Sequence, residues 1–216
     1  MGPVLFNIYV SNLPSCIKSD SIQYADDTTI YKFCKKTHTT VTAHQLEAGI
    51  SNLSQWSSSN GLLFNNEKLK FITFSKKSDQ VTNRSILIKS AGKSIQEESS
   101  VKLLGVIFDR HLTWSEQINS VVKSTYGILR TLKTFKRCTP FKVRKSLAES
   151  LVLSRINYCN VVYGQLPLYL LKRLQRVQNC AAGYVFGRCG KIEDVIKLHW
   201  LPIRENINYN IARLTF

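Results

Sequence analysis

Acidic side chains are scarce. Fourteen Asp and Glu stand against 30 Lys and Arg in 216 residues, giving a formal charge of +16 and a pI near 9.7. That balance points toward a polyanionic partner, nucleic acid first, with a merely solvated basic surface as the plainer account. With only 5 Pro and 10 Gly, collagen-like and low-complexity classes are excluded. No C-x-x-C pair occurs among Cys16, Cys34, Cys138, Cys159, Cys180 and Cys189, and His38, His44, His111 and His199 lie near none of them at a zinc-ligand spacing. No structural metal site is expected. No run approaches the roughly 18 apolar residues of a membrane span, and the opening MGPVLFNIYVSNLP lacks the basic start of a secretory leader. The expectation is a chain with no membrane partner and reduced thiols in the cytoplasm or nucleus. No internal repeat is visible, which excludes a solenoid.

What remains is globular: 44% hydrophobic, 20% charged and 10% aromatic residues, enough for one large or two small domains. The charge is uneven. Residues 1–75 carry 6 basic and 5 acidic groups (net +1), residues 76–136 carry 11 and 5 (net +6), and residues 137–216 carry 13 and 4 (net +9). An electrostatic grip on a polyanion therefore belongs to the C-terminal two thirds, leaving the near-neutral N-terminal third free for another task.

Pro3, Leu5, Ile8, Tyr9 and Leu13 open the chain at helical spacing, with proline where a first turn tolerates it. Two β-branched and aromatic runs, 21–24 and 28–33, flank Ala25-Asp26-Asp27 and predict a hairpin with the acids at its tip. Residues 40–58 place Leu46, Ile50, Leu53 and Trp56 on one helical stripe that ends before Asn60-Gly61. Short β-rich runs at 69–75, 86–89, 95–96 and 101–108 predict a small antiparallel sheet, interrupted at Ser78-Asp79-Gln80, Ser90-Ala91-Gly92 and residues 97–100. Thr113-Trp114-Ser115-Glu116 reads as a capping box opening a long helix, and Thr139-Pro140 and Pro167 open two more. Residues 191–198 and 204–216 give the last helices. The predicted change from mixed to all-helical structure lies near residues 109–114.

Adjacent carboxylates on a turn are what a site needs to hold Mg²⁺ beside phosphates, because a hard cation takes oxygen ligands and few protein carboxylates. A bare Asp-Asp is otherwise a solvated turn, and its context decides between the two. Gly2-Pro3-Val4-Leu5-Phe6-Asn7-Ile8-Tyr9 resembles the G-P-L-L-F-x-I-Y motif of LINE-type (non-LTR, CR1/L2 or jockey-like) reverse transcriptases, and Tyr24-Ala25-Asp26-Asp27 matches their Y-A-D-D. Gly61-Leu62-Leu63-Phe64-Asn65-Asn66-Glu67-Lys68 is similar to their L-x-L-N-x-x-K segment, and Val101-Lys102-Leu103-Leu104-Gly105-Val106 to their L-G-V strand. Leu153-Ser154-Arg155-Ile156-Asn157-Tyr158-Cys159-Asn160 and Leu198-His199-Trp200-Leu201-Pro202-Ile203 resemble later segments, so six matches in family order cover the chain.

The resemblance implies an α+β fold: an incomplete reverse-transcriptase palm (residues 1–110, the YADD hairpin plus a small antiparallel sheet), followed by an α-helical thumb (residues 111–216). It implies an RNA template, a DNA primer and deoxynucleoside triphosphates as partners, Mg²⁺ or Mn²⁺ as cofactor, and Asp26 and Asp27 as catalytic metal ligands. Tyr24 and Ala25 would line the site, Gly2 and Pro3 would face template and nucleotide, Lys68 would approach the triphosphate, and Leu104 and Gly105 would support the primer strand. Two departures qualify this. The family's third metal-binding aspartate precedes the segment that begins at Met1, with Asp20 an unsuitable substitute lying before the strand, and Lys68-Leu69 stands where Lys-Thr is usual. The expectation is thus little DNA synthesis by this chain alone, against the alternative of a nucleic-acid-binding remnant or a decayed transposon reading frame. Lys123, Arg130, Lys133, Lys136 and Arg137 along or just after one helix, with Lys142, Arg144, Lys145, Lys172, Arg173 and Arg176 on the following ones, would form the thumb's basic face, a solvated lysine surface being the plainer account.

Overall fold

A computed structural model describes residues 1–35, 38–76, 86–90 and 92–215. The chain forms two compact units, Met1–Val101 and Lys102–Phe216. The mixture of helices with small antiparallel ladders is an α+β arrangement.

In the first unit α1 (Gly2–Tyr9) starts with proline in its first turn and α2 (Leu13–Cys16) follows directly, so the expected opening helix is real but broken after Val10. The hairpin β1 (Asp20–Tyr24) and β2 (Asp27–Tyr31) comes next, then α3 (Thr39–Ser59). Alternation sorts the hairpin's faces: Ser21 and Ile30 pair, as do Gln23 and Thr28, on the less exposed side, while Ile22 and Tyr24 stand outward. Val10, Leu13, Ile17, Leu53 and Trp56 form the unit's cluster, with Phe6, Ile30, Leu62 and Phe64 packed on it. Farther along, β3 (Ile88–Ser90) and β4 (Lys93–Ile95) make a second hairpin, held to α3 where the Glu47 carboxylate accepts the Lys89 backbone N–H at 2.7 Å.

The second unit carries the β6 (Val106–Asp109) strand of the hairpin that begins with β5 (Ser100–Leu103). Helical stretches follow: α4 (Ser115–Thr134), α5 (Phe141–Ala148), a π turn (Glu149–Leu153), α6 (Ser154–Asn157), α7 (Leu168–Phe186), α8 (Ile192–Lys197) and α9 (Ile203–Thr215), with short 3₁₀ turns at Lys136–Cys138 and Asn160–Tyr163. Its core is larger, with Ile118, Leu129, Val152, Leu170, Leu174 and Val177 at most 1% exposed. Helices α4 and α7 run side by side, joined at Ser115–Tyr169 and Asn119–Arg173. Residues four apart on each helix meet, so the two run parallel and in register.

Several expectations change. The expected small sheet is instead two separate two-stranded ladders among the described residues, β3–β4 and β5–β6, while the β1–β2 hairpin stands as expected. Residues 69–75 do not form a strand. Phe71 makes one isolated parallel bridge to Glu97, and strand propensity without a laddered partner leaves the segment irregular. Ser90, expected as an interruption, ends β3, while Ser78-Asp79-Gln80 and Ala91 lie outside the described residues. The capping box at residues 113–116 is not made: α4 has Trp114 as N-cap in a left-handed conformation with no side-chain cap. Asp109 supplies the acceptors instead, taking the N–H groups of His111 (3.2 Å), Thr113 (2.9 Å) and Trp114 (2.8 Å). Thr139 likewise does not cap α5; its hydroxyl donates back to Phe135 at 2.9 Å, and Pro140 is the N-cap.

Candidate active site

The Tyr24-Ala25-Asp26-Asp27 segment is the turn of the first hairpin, with Tyr24 and Asp27 facing each other as the last pair of the ladder. The connection is thus Ala25 and Asp26 alone. Ala25 has φ +53°, the left-handed conformation that two-residue hairpin loops demand and that favours glycine or asparagine over alanine. Tyr24, Ala25, Asp26 and Asp27 are all exposed, so both carboxylates are open to a bound partner.

Asp20 is the first residue of β1, paired with Tyr31, rather than a residue before the strand. It stands four residues from Tyr24, about 14 Å along an extended strand, at the far end of the hairpin from the turn. Among the described residues no third His, Cys, Asp or Glu joins the pair to make a metal-holding group. The two carboxylates themselves fit a hard divalent cation that keeps most of its waters.

The other expected residues sit on elements sharing one hydrophobic cluster. Gly2 and Pro3 form the first turn of α1, whose Phe6 packs on that cluster, and the hairpin joins it through Ile30. Leu62 and Phe64 bring the third segment to the same place, and Lys68 ends the short 3₁₀ turn Asn66–Lys68 just beyond. That turn is set by Asn65, whose side chain accepts the Glu67 N–H at 2.9 Å, and by Asn66, which accepts from Ser90 at 2.9 Å. Lys68 is exposed. The tyrosine ending α1 donates its hydroxyl to the carbonyl of Asn60, fixing α1 to the end of α3. Leu104 and Gly105 belong instead to the second unit, as the two-residue turn between β5 and β6, with φ of +47° and +85°.

Sequence reasoning passed over Tyr158, whose hydroxyl donates to the Leu104 carbonyl at 2.7 Å. No spacing rule links residues 54 apart. It also passed over Asp109, where burial alone would raise the carboxyl pKa. Hydrogen bonds from Thr113, Trp114 and His111 outweigh it and hold the group below its ordinary value.

Comparison with known proteins bears on this arrangement. A protein of Drosophila melanogaster, the RNA-directed DNA polymerase from mobile element jockey, is 24% identical over 129 residues, covering 56% of this chain. The chain spans 13% of that relative's length. No solved structure matches. The family profile of reverse transcriptase (RNA-dependent DNA polymerase) matches residues 1–108, half of the chain, and takes in α1, the Asp26–Asp27 turn, Lys68 and the Leu104–Gly105 turn. The chain therefore belongs to the reverse transcriptase family.

Proposed function

We propose that these 216 residues are a partial palm (1–110) and the helical thumb (111–216) of the RNA-directed DNA polymerase of a LINE-type, CR1/L2 or jockey-like retrotransposon. The carrying observation is the Tyr24-Ala25-Asp26-Asp27 turn, which lies inside the family match with both carboxylates exposed. Asp26 and Asp27 would hold Mg²⁺ or Mn²⁺, which supplies Lewis-acid stabilisation of charge on the transferring phosphoryl group. Tyr24, opposite Asp27 in the ladder, and Ala25, in its left-handed bend, fix how the pair is presented. Lys68 contributes a cation for the triphosphate, Gly2 and Pro3 face template and nucleotide, and Leu104 and Gly105 support the primer strand. The basic helices of the second unit, with exposed Lys123, Arg130, Lys172 and Arg176, grip the phosphate backbone of an RNA template and its DNA primer.

With no third metal-binding group among the described residues, the chain on its own is expected to bind primer–template without extending it. Phosphoryl transfer depends on positioned charge, and an incomplete ligand set forfeits most of it. The test is Mg²⁺-dependent primer extension on an RNA template by the purified chain beside an Asp26→Ala, Asp27→Ala variant. Salt-sensitive binding by both proteins, with extension by neither, supports a grip without chemistry. Extension that disappears in the variant overturns the expected inactivity and keeps the carboxylate assignment. Failure to bind primer–template overturns the whole reading.

A further inference from the structure

We propose that Tyr158 is a positioning residue that latches the Leu104–Gly105 turn in the conformation a primer strand meets; this rests on the reading of that turn as primer-supporting. A two-residue hairpin loop with both φ values positive favours Asn-Gly or Gly-Gly, because a β-carbon is crowded in the left-handed region. Here the first position is Leu104, at φ +47°. A strained residue persists where its surroundings over-determine it, and Tyr158 does this twice. Its hydroxyl donates to the Leu104 carbonyl at 2.7 Å. Its ring edge lies 3.4 Å from the position a β-carbon would take on Gly105, so the ring stands over the open face of that glycine and would touch any larger residue placed there. Both sides of the latch reach the surface, Tyr158 at 51% and Leu104 at 42% exposure, where a bound strand can touch them.

The latch is itself anchored. The Tyr158 N–H donates to Ser154 at 3.0 Å, Cys159 takes a left-handed conformation at φ +52°, and Asn160 is buried. The Asn160 amide donates to Asn206 at 2.7 Å and its oxygen accepts from Asn210 at 3.0 Å, both on α9. An asparagine held by two partners fixes the backbone two residues from Tyr158. The segment Asn157-Tyr158-Cys159-Asn160 thereby acquires a role that the carboxylate chemistry does not give it.

The test uses the 216-residue chain and fluorescence anisotropy with two probes, an RNA–DNA primer–template with a recessed primer 3′ end and a blunt hybrid of the same length. Tyr158→Phe removes the hydroxyl and keeps the ring; Tyr158→Ala removes both. Far-UV circular dichroism confirms that the helices survive. Loss of one hydrogen bond should weaken recessed-end binding by about three- to tenfold in Tyr158→Phe, and more in Tyr158→Ala, with blunt-hybrid affinity unchanged. Equal weakening on both probes, or no change on either, overturns the latch. If the unaltered chain itself fails to prefer the recessed end, the primer-supporting assignment of the turn falls, and the latch with it.

Discussion

The carboxylate of Asp109 accepts the backbone N–H of Trp114, five residues on, at 2.8 Å, and thereby closes the loop that delivers the chain into α4. Its two oxygens also serve Thr113 and His111, so one side chain satisfies the N–H of the N-cap residue and two donors of the loop before it. Replacing it by alanine should cost about 1–2 kcal/mol, the range of a lost N-cap. Urea unfolding followed by circular dichroism reads this directly. The pH dependence has a defined sign. The net pKa is lowered despite the opposing effect of burial, so the stabilisation is complete above the unfolded value and is lost as pH falls through the folded one. Wild type should lose stability below about pH 4, and Asp109→Asn should lose less over the same interval.

Glu47 offers an independent acid-sensitive contact in the first unit. The Lys89 backbone N–H, ahead of the opposing burial and of His44, lowers its pKa. The contact between α3 and the β3–β4 hairpin should therefore hold above about pH 4.3 and weaken on acidification through the folded pKa. In Glu47→Gln the acid step of amide hydrogen exchange at Lys89 should vanish, which a pH series of exchange rates would reveal.

At the end of α7 two backbones touch. A β-carbon on Gly190 would lie 1.8 Å from the Asn179 carbonyl oxygen, and one on Gly183 would lie 2.4 Å from the Gly190 nitrogen. Neither obstacle is a flexible side chain. Gly190→Ala should destabilise the second unit by about 3 kcal/mol, at or beyond the usual cost of overpacking, with thermal unfolding as the readout.

Among the exposed cations, Lys172 and Arg176 lie on α7. If these contact phosphates, Lys172→Ala, Arg176→Ala should bind primer–template more weakly and flatten the plot of log K against log salt by about 1 to 2. Titrations from low to high salt measure the slope. An unchanged slope places the nucleic acid on another face.

Much of the architecture is legible locally. Leu46, Ile50, Leu53 and Trp56 recur at the helical period and α3 is there; the runs flanking Ala25-Asp26-Asp27 alternate and the hairpin is there, with Asp27 in the ladder pair beside the turn rather than in the turn itself. What misled the reading was local chemistry with two outlets. Thr113 and Thr139 have the right side chains for caps, yet the Thr113 hydroxyl donates to the carboxylate four residues upstream and accepts from Ser115 only at 3.4 Å, while that of Thr139 donates to a carbonyl four residues before it. Residues 69–75 have strand composition and no ladder to join.

The sequence by itself determined the periodic elements, the adjacent carboxylates on a tight turn and the basic bias of the helical part, because each depends on residues within a few positions of one another. Only the tertiary structure decided that Tyr158 closes on Leu104, that Asn206 and Asn210 hold Asn160, and that Gly183 and Gly190 pass in backbone contact. The first two link residues 46 to 54 positions apart, and even the seven-residue return from Gly183 to Gly190 depends on how a helix end doubles back. Such contacts have no period and no spacing. They exist because packing the core of the second unit brings the ends of distant elements together, and the polar groups found there must then satisfy one another.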